Sequence, residues 1–146
     1  MTILASAIAP VLFAIAALHA YWGLGGVWPG SNAADCARRV IGFAGMRRMP
    51  GPGPSFAVAA ALLAVAVLVL LQGNLIVSPL PAGFVSFATL CAALVFLGRG
   101  VAGFTPAWRR LTPEQPFATL DIRYYSPLCL ALGAGIALLA VQGMTI

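Results

Sequence analysis

Four apolar runs, each long enough to cross a bilayer as a helix, alternate with segments that hold the charged residues. The runs fall at about 3–22, 55–71, 82–98 and 126–143. At a rise of about 1.5 Å per residue, each crosses a roughly 30 Å hydrocarbon core when it stands nearly upright. The pattern predicts an all-α, polytopic membrane protein: one domain over 1–146, a four-transmembrane-helix bundle with no separate soluble domain. No Lys or Arg precedes the first run, and no small-residue cleavage site leads from it into a soluble domain. It reads as a retained helix, not a signal peptide.

The breaks between runs carry their own signals. Gly23, Gly25, Gly26 and Pro29 stop the first run. Asn32 is placed to cap a short helix from Ala33 to about Ile41, with Arg38 and Arg39 on its surface. Pro50-Gly51-Pro52-Gly53-Pro54 reads as an extended spacer. Gln72-Gly73-Asn74 closes the second run, and the next loop, to Pro81, has no charge. Ser126 reads as the N-cap of the fourth run, with Pro127 at its first helical position. The tail Met144-Thr145-Ile146 is too short for an independent role. Small residues let helix backbones approach closely in lipid, so Ala57, Ala61 and Ala64 predict one packing face. Ala131, Gly133, Gly135 and Ala137 predict another.

Composition supports the membrane assignment. The chain is 62% hydrophobic and 8% charged, with a mean hydropathy of +1.01. A soluble domain averages about 25% charged residues. Arginine-only, alanine-rich usage fits a GC-rich bacterial genome. The net charge of +5 comes without a basic stripe interleaved with aromatics, so nucleic acid is not an expected partner.

The placement of charge predicts orientation. Residues 23–54 hold Arg38, Arg39, Arg47 and Arg48 against Asp35. Residues 99–125 hold Arg99, Arg109, Arg110 and Arg123 against Glu114 and Asp121. The remaining segments hold none. The positive-inside rule puts both charged loops in the cytoplasm and both termini outside, in a multi-pass protein of the bacterial inner membrane. The tryptophans and tyrosines belong to the same side, so any site is expected there. A faint internal echo, Val40-Ile41-Gly42-Phe43 against Val101-Ala102-Gly103-Phe104, hints at a repeat of two spans per half.

Candidate ligand-binding residues are His19, Trp22, Trp28, Arg99, Asp121, Arg123 and Tyr124. Ionisable groups at membrane depth are functional candidates by default. Each also has a structural reading. His19 can be tied to a neighbouring helix or to headgroups. Asp121 and Arg123 can belong to an ion-pair cluster, with Arg99 or Glu114 as partners, that docks residues 99–125 onto the bundle; they can also reach His19. No catalytic residue and no metal ligand set is expected. One histidine cannot ligate a haem on both faces, and Cys36, Cys91 and Cys129 form no CxxC. There is no lysine for a phosphate loop, no HExxH, no GxSxG, and no acid within a span for proton-coupled transport. No cofactor is expected.

Several stretches together resemble a known family. They are His19-Ala20-Tyr21-Trp22-Gly23-Leu24-Gly25-Gly26-Val27-Trp28-Pro29, Arg99-Gly100-Val101-Ala102-Gly103-Phe104, Pro116-Phe117, and Asp121-Ile122-Arg123-Tyr124-Tyr125-Ser126-Pro127-Leu128-Cys129-Leu130. The chain resembles the bacterial domain-of-unknown-function 3995 family of small four-span membrane proteins, over nearly its whole length. The resemblance implies four helices and a furnished third loop, and it brings no activity. The spacer at Pro50–Pro54 is not a feature associated with that family.

Three functions are open to this sequence. The first is a non-enzymatic accessory or scaffold protein, with membrane lipids and a membrane-protein partner or a homo-oligomer as its contacts. The second is a binding or enzymatic bundle for a lipid-like or other apolar molecule, with a polar mouth on the cytoplasmic face. The third is a small transporter.

Overall fold

Apolar residues along four long helices bury against one another, and the polar loops gather at one end of the bundle. The structure, a computed structural model, describes residues 1–144. Thr145 and Ile146, the end of the tail, lie outside the described residues. The elements are α1 (Thr2–Gly23), α2 (Ala33–Val40), α3 (Pro52–Gln72), α4 (Ala82–Ala102), α5 (Pro106–Leu111), α6 (Phe117–Leu120), a π-helical turn (Asp121–Tyr125) and α7 (Ser126–Met144). No strand occurs among the described residues. Among the described residues four segments are long and apolar enough to cross a membrane: α1, α3, α4 and the continuous stretch Phe117–Met144.

The bundle is built as two pairs. Helix α1 packs along α3, and α4 along α7; the pairs meet through lesser contacts of α3 with α4 and of α7 with α1 and α3. Ala5, Ile8, Leu12, Val69, Ile136 and Leu139 lie in the shared core. The α4–α7 seam depends on missing side chains. A Cβ on Gly133 would stand 2.9 Å from the Leu97 backbone nitrogen, and one on Gly100 would stand 3.0 Å from the Leu130 backbone nitrogen. Backbone, unlike a side-chain tip, cannot swing away.

At the end away from the charged loops, Gln72 ties three helices. Its Nε2 donates to Ser86 Oγ at 3.1 Å and to the Leu139 carbonyl at 3.2 Å.

Several expectations need correction. Ala57, Ala61 and Ala64 are exposed; the buried stripe of α3 is Ser55, Ala59, Leu62, Ala66 and Val69. The apolar residues of α3 surround it, so hydrophobicity marks no face. Ala131, Gly133, Gly135 and Ala137 do not form one face. Positions two apart diverge by about 200° on a helix, so Gly133 meets α4 while Gly135 meets Ile8 of α1, and Ala131 is exposed.

The proline-rich stretch is not wholly a spacer, because α3 begins at Pro52. First-turn amides have no partner within the helix, so Pro52 and Pro54 forfeit no hydrogen bond there. Nor is Ser126 an N-cap: the helix starts at Phe117 and runs through it. Pro127 sits inside that helix, where its ring would strike the carbonyl four residues back. The preceding π turn, closed by the Ser126 N–H donating to the Asp121 carbonyl, widens the helix and accommodates it. The internal echo does not map onto the halves. Val40 ends the short α2, whereas Val101 lies within the long α4.

Candidate functional site

The two charged loops fold into one cap over the end of the bundle. Asn32 caps α2 as its position predicts, its Oδ1 accepting from the Asp35 N–H at 3.0 Å. Asp35 in turn accepts from the Ser31 N–H at 3.0 Å and pairs with Arg39 at 3.1 Å and Arg38 at 3.2 Å. The Ser31 amide, then the Arg39 guanidinium, hold the Asp35 carboxyl down to about 2. Burial pushes the neighbouring Cys36 thiol up.

Bonds between the loops close the cap. The Gly45 N–H donates to Glu114 Oε1 at 3.1 Å, the Glu114 N–H to the Gly42 carbonyl at 3.2 Å, and the Tyr125 hydroxyl to the Arg39 carbonyl at 3.1 Å. Gly42 has φ +73°, and any Cβ there would collide with the Phe117 ring. Both reasons require glycine.

Asp121 is the anchor of the cap. Only 1% exposed, its Oδ1 accepts from Arg99 at 2.7 Å and from the Ser126 hydroxyl at 3.1 Å. Its Oδ2 accepts from the Trp108 indole N–H at 2.9 Å. The Arg99 guanidinium also lies 4.6 Å over the Trp108 ring, a cation–π contact. Gly103 makes room for the cluster, since a Cβ there would overlap Ser126 Oγ. Charge, hydrogen bonds and ring stacking thus join the end of α4, α5, the π turn and α7. Among the described residues no buried side-chain nitrogen or oxygen lacks a partner.

The seven candidate residues do not converge on one mouth. Arg99 and Asp121 meet, as an ion pair within the protein. His19 and Trp22 meet elsewhere, edge to face with ring centroids 5.0 Å apart. Trp22 Nε1 donates to the Trp28 carbonyl at 2.7 Å, while the Trp28 side chain is exposed. Arg123 and Tyr124 are exposed and make no hydrogen bond or ion pair among the described residues. Glu114 bonds to the loop at Gly45, not to Asp121 or Arg123.

A groove of about 160 Å³ opens beside His19 and Trp22, between the end of α1 and the start of α3, with Ile41, Met49 and Ser55 among its walls. A wider recess of about 460 Å³ shares Trp22, Met49 and Pro50 with it and reaches Arg48. Ser55 carried no signal in the sequence beyond being the first polar residue of a run. Among the described residues no group of three or more His, Cys, Asp or Glu could hold a metal, and the three cysteines are free.

A family model described as a protein of unknown function (DUF3995) matches residues 12–136. The match takes in α3, α4 and the cap whole, with the second half of α1 and the first part of α7. No curated protein and no solved structure matches the chain.

Proposed function

This chain belongs to the DUF3995 family, and from that premise we propose that it is a non-enzymatic accessory or scaffold protein of the bacterial inner membrane, with its cap in the cytoplasm and both termini outside. The observation that carries this reading is the use made of Asp121. Both of its oxygens are engaged by Arg99, Trp108 and Ser126, which makes the most buried ion pair among the described residues a brace for the cap. A braced cap presents a fixed surface. On that surface Arg47, Arg48, Arg110 and Arg123 are exposed and can face anionic headgroups or an acidic partner protein.

Native mass spectrometry after purification in mild detergent tests the role. A protein partner of fixed stoichiometry should be retained by the parent and lost from the Arg110→Glu, Arg123→Glu double variant. A parent that carries no protein partner overturns the reading. Reporter fusions at Gly51 and Ile146 test the orientation, which a cytoplasmic signal from Ile146 would reverse.

A further inference from the structure

The groove between α1 and α3 has chemistry that the scaffold reading does not use. His19 Nδ1 lies 2.8 Å from the Ile15 carbonyl oxygen. A carbonyl only accepts, so Nδ1 carries the proton, and Nε2 of the neutral ring presents a lone pair. Nε2 has no partner among the described residues. Ser55 is 6% exposed, yet its hydroxyl makes no hydrogen bond among the described residues. This sets it apart from Ser6 and Thr89, whose hydroxyls donate to the carbonyl four residues back in their own helices. No fully enclosed side-chain polar atom among the described residues is without a partner. The two unpartnered atoms therefore reach open space, and His19 and Ser55 line the same groove.

We propose that this groove binds an amphiphile whose head carries a hydroxyl donor, an alcohol or phenol on an apolar body, held between His19 Nε2 and Ser55 Oγ. One hydroxyl satisfies both groups: its proton goes to Nε2, and its oxygen accepts from Ser55. An ether or carbonyl head can serve Ser55 only, and a fully ionised anion would face the Nε2 lone pair. The walls suit the rest of such a molecule. Trp22, Ile41 and Val58 are apolar there, and Met49 has the flexible side chain that adapts to varied shapes. At about 160 Å³, set against roughly 30 Å³ per water in the liquid, the groove takes a head the size of a single ring. The wider recess past Trp22 and Met49 gives the body somewhere to continue.

His19 is the only histidine, so 15N-histidine labelling reports one ring. The experiment titrates detergent-solubilised, full-length protein with para-nonylphenol and, separately, with its methyl ether para-nonylanisole, in mildly alkaline buffer. The expected result is a saturable shift of the Nε2 resonance with the phenol and none with the ether. Ser55→Ala removes no hydrogen bond of the fold, and should weaken phenol binding about threefold to tenfold, the worth of one net hydrogen bond. Val58→Trp, which fills the groove and leaves both polar groups in place, should abolish saturation. Equal Nε2 shifts with phenol and ether would overturn the proposal. So would a shift that never saturates, which is partition into the micelle only, or an unchanged affinity in Ser55→Ala. None of these outcomes bears on the protein-partner stoichiometry that tests the scaffold reading.

Discussion

Asp121→Asn keeps the shape of the anchor and removes its charge, and the consequences follow from a count of donors. Asp121 accepts from Arg99, Trp108 and Ser126. Asparagine offers one acceptor oxygen and one amide that only donates. If its oxygen faces Arg99, its amide opposes the Trp108 N–H. If its oxygen faces Trp108, the amide can donate to Ser126, and Arg99 Nη2 loses its partner while Nη1 keeps its bond to Ser126 Oγ. A donor is left unpaired in either orientation. An unsatisfied buried donor costs about 1–3 kcal/mol, and breaking a fully buried ion pair about 3–5 kcal/mol. Because the Arg99 side chain is 30% exposed, water recovers part of the second loss, which gives about 2–3 kcal/mol for the variant.

That loss should appear as local opening of the cap, with the long helices intact. Arg109 and Arg110 lie in α5, which must unravel before a protease can cut there. With cleavage tracking the open population, trypsin should cut the variant there about thirty to 150 times faster. The assay compares limited tryptic digestion in detergent with helical circular dichroism on the same samples. Equal cleavage rates with equal helix content would refute the bracing role of Asp121.

Gly133→Leu should lower the detergent melting temperature more than Gly135→Leu, with an overpacking cost of about 1–3 kcal/mol or more. At Gly133 the obstruction is the Leu97 backbone nitrogen at 2.9 Å, whereas at Gly135 it is the tip of Ile8, Cδ1, at 2.7 Å, which can rotate away; the reverse ranking would contradict the α4–α7 seam. Asp35 has its carboxyl lowered from 3.8 to about 2, so its contribution to the cap is present above the unfolded value and lost as pH falls through about 2. A carboxyl 13C titration with its midpoint near 3.8 would show that the Ser31 and Arg39 contacts are not made. Tyr125→Phe deletes the bond to the Arg39 carbonyl and should destabilise the cap by about 1 kcal/mol, seen as faster tryptic cleavage after Arg39; an unchanged rate would mean that this bond does not hold the two loops together.

The features that local chemistry dictates were legible in the sequence. Span length follows from apolar run length, so the four long helices and their order were readable. Asn32 is a short polar side chain ahead of a helix-forming stretch, and it caps α2. Asp121 was identifiable as the anchor because acids are so scarce, and Arg99 was among its named partners. What stayed hidden depends on packing. In an all-apolar span, which face turns inward is set by the neighbouring helix, so the buried stripe through Ser55 and Ala59 could not be told from the exposed one through Ala57 and Ala61. Ser126 and Pro127 have the chemistry of a helix start. Only the upstream docking of Phe117 and Asp121 reveals that the helix has already begun there. His19 and Ser55 share a groove only because α1 lies along α3.

The pairing of α1 with α3, and of α4 with α7, has a consequence for how the protein is made. Each pair is contiguous in the chain, separated from the other by an uncharged loop, and most helix–helix contact lies within pairs. A ribosome feeding the bilayer therefore delivers the first hairpin complete before any of the second emerges. The closures that do wait for the C-terminal half are those reaching back across the cap: Glu114 to Gly45, and Tyr125 to Arg39. The groove beside His19 and Ser55 belongs wholly to the early hairpin, so it takes shape before the cap that adjoins it is finished.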